Sequence, residues 1–375
     1  MSALRGPGRA GSGRPSGRRR LGASVGGRSP RACAALLWSA VVGAAGCGGE
    51  GAAPTPPAPA DRVTGDVKSY LEARLEELAA ASASVCASAP APDADGWSAA
   101  SDADAVRRMR AAWRAARAAY ERLEGSLALL FPQLDRAIDG RFEQHAREHT
   151  DRAPFDGGGF VGLHAIERIL WADAVRPEVA AFERALPGYV EPATPSDTAE
   201  ARAFREGLCG RLLRDVATVR RQLAPLALDL PTAWHGLPAS IEEQAEKVEL
   251  RAEGRDESRY SRTTLADVRA NLAGGRAILA RFGPLLDARE DTRALRARIA
   301  RGFDDLDRGY RELGGDALPE VPRGFDPDAA SAGPPTPFGR LSALLARASD
   351  PDADGSLAGA VGRAGDLLDL RPPRR

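Results

Sequence analysis

His164 and Glu167 stand three residues apart, just past the glycine run Gly157 to Gly159. On a helix that spacing puts both side chains on one face. An imidazole and a carboxylate presented together can chelate a transition metal from inside a helical bundle. The spacing alone decides little, since the chain repeats it at His145 and Glu148. Other acidic groups recur close by. Glu121 and Glu124 lie three apart, with Arg117 and Tyr120 on the turn before them, and Asp135, Asp139 and Glu143 recur at i, i+4 and i+8. These faces and one imidazole suit iron, manganese, zinc or copper, and geometry does not choose among them. For any single pair the competing reading is a solvated face, because 28% of the chain is charged.

The elements that must position these groups read as helices throughout. From Asp61 onward Ala, Leu, Arg and Glu dominate and no β-branched alternating run stands out. The pattern predicts a first helix over 67–85, closed by Pro90 and Pro92. Ser101 with Asp104 resembles an N-cap pair opening a long helix to about Leu130. Pro132 then interrupts, and a further helix runs through Asp139 to His149. Ser196 caps a helix reaching Leu223. After a Pro-rich connection (Pro225, Pro231, Pro238), Ser240 and Glu243 mark another capped start, and helices follow near 262–282 and 291–313. A Pro/Gly-rich loop at 315–337 and two short helical pieces complete the chain. This is more helix than one four-helix bundle holds, so the expected fold is all-α, two packed helical-bundle halves with the metal site in a cleft between helices.

The first 46 residues read as an export signal. They hold eight arginines and no acid, then an apolar run from Ala32 to Val42 and small residues ending at Gly46. Cys47 follows as in a bacterial lipobox, although Ala44 stands where leucine is usual; ordinary cleavage with Cys47 incidental is the alternative. Gly48 to Ala60, with four prolines, reads as an extended tether, so the domain begins near residue 63 and runs to 375. Removing the signal leaves 44 basic against 52 acidic residues, a net charge near −8. That argues against nucleic acid as a partner and suits a collector of cations. Cys86 and Cys209 remain, in a compartment that permits disulfides; if paired, they staple the first helix to a later one.

Together the motifs resemble the imelysin family, and within it the EfeO-type periplasmic component of bacterial iron uptake. The matching pieces are R-x-x-Y-E-x-x-E at 117–124, L-D-x-x-I-D at 134–139, G-x-H-x-x-E-x-x-L-W-x-D at 162–173, I-E-E at 241–243 and the stretch from Arg259, Tyr260 and Ser261 through Asp267 to Gly274. They cover nearly all of 63–313, in family order. The resemblance implies metal ligands His164, Glu167, Glu121, Glu124, Asp139 and Glu243. Arg117, Tyr120, Asp135, Glu242, Tyr260 and Asp267 would support them. It implies iron as the ion, with zinc or copper as alternatives, and as partners an inner-membrane permease and a companion peroxidase-type component. Departures are Leu163 in place of an aromatic, Ala266 and Val268 in place of tryptophan and phenylalanine, a longer segment 141–160 and one extra residue before Asp139. No cupredoxin-like domain is expected, since only the tether precedes the helices.

The sequence therefore reads as an exported, lipid-anchored protein, periplasmic or at the cell surface, that captures a cation and passes it to a permease. Affinity is expected to fall as His164 protonates below about pH 6.5. The rivals are a metallopeptidase using the same histidine and glutamate, and a module binding an acidic polysaccharide or surface partner through arginine. His145, Glu148 and His149 spell an inverted zinc-protease motif, read here as a surface helix terminus. No H-E-x-x-H occurs, and the G-x-S-x-G at 22–26 falls within the export signal, so no enzymatic activity is expected.

Overall fold

The computed structural model describes residues 58–146, 153–326, 336–353 and 355–370; the signal, Cys47, the tether up to residue 57, Glu148 and His149 lie outside them. Among the described residues every regular element is helical. None of these helices is long and apolar enough to cross a membrane.

Helix α1 (Pro59–Ala87) starts earlier than the tether was expected to end. Pro59 stands at its first turn, where a missing N–H costs nothing, and Asp61 faces the helix dipole. The expected long helix over 101–130 is two, α2 (Ala103–Glu121) and α3 (Glu124–Leu130), broken at Arg122 and Leu123. Ser101 does not cap α2: its hydroxyl donates to Asp102, whose carboxylate accepts from the Ser98 N–H. Beyond Phe131 come α4 (Pro132–Asp139) and α5 (Phe142–Ala146), separated at Gly140, where ψ is 134°. That break takes Glu143 off the Asp135–Asp139 face.

Helix α6 (Leu163–Leu170) carries His164, and α7 (Pro177–Arg184) follows. The next segment runs as α8 (Thr198–Ala203), a wider π turn over Phe204–Cys209, and α9 (Gly210–Leu223). Its cap is Asp197, one residue past Ser196. Cys209 of the π turn is disulfide-bonded to Cys86 of α1, Cα atoms 5.6 Å apart.

The Pro-rich connection is in fact mostly helix. Asp229 accepts from the Thr232 N–H and opens α10 (Leu230–Ala252), with Pro231 in its first turn and Pro238 inside. Ser240 is therefore mid-helix, its hydroxyl donating back to the Leu237 carbonyl, and Glu243 closes no capping box. Helices α11 (Thr264–Arg281), α12 (Gly283–Leu286), α13 (Glu290–Leu313), α14 (Pro337–Ser349) and α15 (Leu357–Leu367) complete the fold. Helices α1, α2 and α9 pack as one half; α10, α11 and α13 to α15 form the other, joined by α2 on α11 and α3 on α10. One continuous apolar core links the two halves, with Leu75, Leu78, Trp113, Phe204, Phe282, Phe303 and Phe338 among its largest fully buried side chains.

Two glycines let the halves approach the ionic centre. A Cβ on Gly274 of α11 would lie 2.5 Å from the Arg122 carbonyl, so only glycine lets α11 close on the α2–α3 break. Gly162, at φ 87°, starts α6 against the end of α4; a Cβ there would lie 2.4 Å from the Ile138 carbonyl. The indole N–H of Trp113 donates to the Leu163 carbonyl at 2.8 Å and fixes the same entry. Asp139 and His164 meet because of it.

Candidate metal centre

The inward face of α2 is apolar at Met109, Trp113 and Ala116 and then becomes ionic at Arg117 and Glu121. Arg117 is buried and ion-paired with Glu121, Asp139, Glu257 (3.0 Å) and Asp267 (3.6 Å). A second buried cation, Lys247 of α10, lies 2.6 Å from Glu257, 3.1 Å from Glu124 and 3.4 Å from Glu121. Five buried carboxylates thus surround two fixed cations. Burying an unpaired charge is costly, and the shortfall shows in proton affinity. Burial raises Glu121 and Glu124 to about 8, against the pull of Arg117 and Lys247 respectively, and raises Asp139 and Asp267 well above the ordinary carboxylate range. Glu257 goes the other way: burial opposes its charge, but Lys247, Arg117 and His164 together hold it well below that range.

His164 faces this group. Its Nδ1–H donates to Glu167 Oε2 at 2.9 Å, which leaves the lone pair on Nε2. Nε2 is buried without a hydrogen-bond partner and lies 3.5 Å from Asp139 Oδ1 and 4.0 Å from Glu257 Oε1. A tetrahedral ion with ligands at ~2.1 Å holds neighbouring donor atoms ~3.4 Å apart. Asp139, His164 and Glu257 therefore match a metal triad within small side-chain shifts. Burial and the nearby Arg117 lower the His164 pKa, so its neutral, ligating form persists below pH 6.5.

Glu167 sits behind the histidine. Its other oxygen accepts from the N–H of Tyr260 (3.2 Å), the N–H of Ser261 (2.8 Å) and the Ser261 hydroxyl (2.7 Å). With both oxygens engaged it orients the imidazole, as outer carboxylates do around metal-bound histidines. The sequence placed Glu167 among the ligands because i, i+3 spacing shows a shared face and not the direction of a carboxylate.

Asp139 and Glu257 also line an open pocket of about 400 Å³, with Glu124, Asp135, Glu243 and Glu246 around it. Burial raises Asp135 to about 6 and Glu243 to about 7. Tyr120 donates its hydroxyl to Asp135. Tyr260 contributes its backbone to Glu167, while its hydroxyl turns away to Glu183. Asp267 accepts from the Ser258 hydroxyl at 2.5 Å. Glu242, one helical step from Glu243, is exposed and outside the pocket. Glu143 is also outside, bound by Arg259 at 2.8 and 2.9 Å. His145 is buried against the Phe160 ring, not at the surface as its motif predicted.

Sequence reasoning missed Glu257, Lys247 and Asn271. Glu257 lies in a turn, where no periodicity marks an inward side chain. Thr264 bonds Asp256, and Ser258 bonds both Thr264 and Asp267, so that the turn aims Glu257 inward. Asn271 of α11 donates to Glu121 (3.0 Å) and Glu124 (2.8 Å) and ties the two carboxylates together.

An all-helical fold around a buried ionic centre at the foot of an acid-lined pocket defines the class. The chain belongs to the imelysin family: the family model described as Imelysin, which carries the label Peptidase M75, matches residues 68–333. Among its relatives is the iron uptake system component EfeO of Yersinia pseudotuberculosis serotype I (strain IP32953), 27% identical over 188 residues, covering 50% of this chain and 40% of the relative. EfeO of Escherichia coli (strain K12) is 25% identical over 202 residues, covering 54% and 44%. The matches thus span less than half the length of these relatives.

Proposed function

We propose that this chain is the cation-capturing component of an iron uptake system, holding the ion between Asp139, His164 and Glu257. The observation that carries the reading is His164 Nε2, a buried lone pair with no hydrogen-bond donor, aimed at two carboxylates. Glu124, Asp135 and Glu243 form the acidic approach, where like charges concentrate cations. Oxygen and nitrogen donors suit iron, and zinc or copper also fit the set. The names of the EfeO relatives supply the preference for iron.

The protein is exported by its signal, is anchored through Cys47, and delivers the ion to an inner-membrane permease, with a peroxidase-type companion. The peptidase alternative asks Glu167 to act as a base, and Glu167 has no free oxygen for it. Calorimetric titration with Fe²⁺, Mn²⁺ and Zn²⁺ tests the reading. His164→Ala and Glu257→Gln are each expected to weaken binding by more than the ~10–100-fold that outer-sphere changes cost. Wild-type affinity in both variants contradicts the site.

A further inference from the structure

We propose that Lys247 is a resident monovalent cation filling a second cation position beside Asp139, His164 and Glu257, and that it thereby limits the chain to one multivalent ion. The inference rests on the reading of that triad as the metal site. The Lys247 ammonium meets carboxylates from three segments: Glu121 at the end of α2, Glu124 at the start of α3 and Glu257 in the turn before α11. An ammonium offers three donors radiating from one atom, and here it has three carboxylates around it, much as a small ion has ligands.

Three further observations support a cation position rather than an ordinary ion pair. Asn271 ties Glu121 to Glu124 independently of the lysine, so the carboxylate cage has its own scaffold. Glu121 Oε1, beside both Arg117 and Lys247, and Glu257 Oε2, 2.6 Å from the ammonium, are buried atoms with cationic partners and no neutral hydrogen-bond donor. They are held by charge alone, as ion ligands are. Finally, only two of the 52 basic residues are lysines, Lys68 and Lys247. Lys68 is a half-buried residue bonded to the Ala224 carbonyl. Where this chain needs a buried compact charge it departs from arginine, whose planar fork spreads its donors over a wider span. Glu257 is shared by both positions, so an ion in one is felt in the other.

Lys247→Met tests this, because methionine is one atom shorter than lysine and vacates the ammonium position while filling the stem. The full chain is dialysed against Mn²⁺ and, separately, Zn²⁺, and bound metal per chain is measured by elemental analysis. Expected are one equivalent in wild type, two in Lys247→Met, none in His164→Ala and one in the double variant. A single equivalent in folded Lys247→Met, or two in wild type, overturns the proposal. Wild type and His164→Ala with equal metal would instead overturn the triad, while the gain in Lys247→Met is still counted separately. Circular dichroism checks folding, and Lys247→Gln, likewise one atom shorter and uncharged, replaces a variant that does not fold, with the same two equivalents expected and a single one overturning the proposal.

Discussion

Helices α2 and α13 bury one face each by the same helical spacing, and they bury opposite kinds of residue. Helix α13 turns Ile299, Phe303, Leu306 and Tyr310 inward, and its two buried hydroxyls, on Thr292 and Tyr310, donate to the Leu286 carbonyl at 2.7 Å and to Gln244 at 2.8 Å. Helix α2 begins the same way at Met109 and Trp113 and ends with Arg117 and Glu121 inside. The apolar face needs only shape. The ionic face needs counter-charges from α3, α4, α10, α11 and the turn at Glu257, all brought to one point. Buried ion pairs are weak contributors to stability, and apolar residues of equal volume often do as well. The α13 face accounts for folding; on the function proposed above, the α2 face is there for the ion it would hold.

That contrast breaks most sharply by removing its centres. Phe303→Ala is expected to cost ~3–5 kcal/mol, equally at pH 5 and pH 8. Arg117→Met is expected to cost about as much, since it strips the cation from four carboxylates, but with a strong pH dependence. Carboxylates whose folded pKa is raised stabilise the fold below their unfolded value and lose that contribution as pH rises through the folded value. Glu121 and Glu124 are neutral in the wild type until pH nears about 8, so the Arg117→Met defect begins to grow only as pH approaches that value and is larger at pH 8 than at pH 5. Denaturant unfolding at both pH values checks it; parallel losses in the two variants would erase the distinction.

A smaller effect separates ligand from support within the ionic region. Glu167→Gln keeps the shape but weakens the hold on His164, and a loss of ~10–100-fold in metal affinity is expected, less than for His164→Ala. Next is pH. Asp135 near 6, Glu243 near 7 and Glu124 near 8 must lose protons to act as anions, so metal affinity rises from pH 6 to pH 8 with protons released on binding. The sequence tied this dependence to His164; burial and Arg117 lower the imidazole pKa, so the raised carboxylates carry most of the dependence. Calorimetry in buffers of different ionisation enthalpy reads the released protons. Smallest is Glu242→Gln, exposed and outside the pocket, expected to leave affinity unchanged.

Much of this was legible beforehand. Helical periodicity gave the all-α class, and the family's motifs marked His164, Asp139, Glu121 and Glu124. What escaped notice depends on departures from periodicity. Gly140 breaks the Asp135–Glu143 face, Pro238 is absorbed into α10 rather than ending a loop, and Glu257 acts from a turn held by Ser258 and Thr264. The direction of a carboxylate, as at Glu167, is set by partners about ninety residues away, which spacing does not encode.

The most direct test is anomalous diffraction from crystals soaked in Fe²⁺ or Mn²⁺. The account predicts one ion bonded to His164 Nε2, Asp139 and Glu257, with Glu167 still on Nδ1. An ion held by Glu167 itself, or one away from His164, would contradict it.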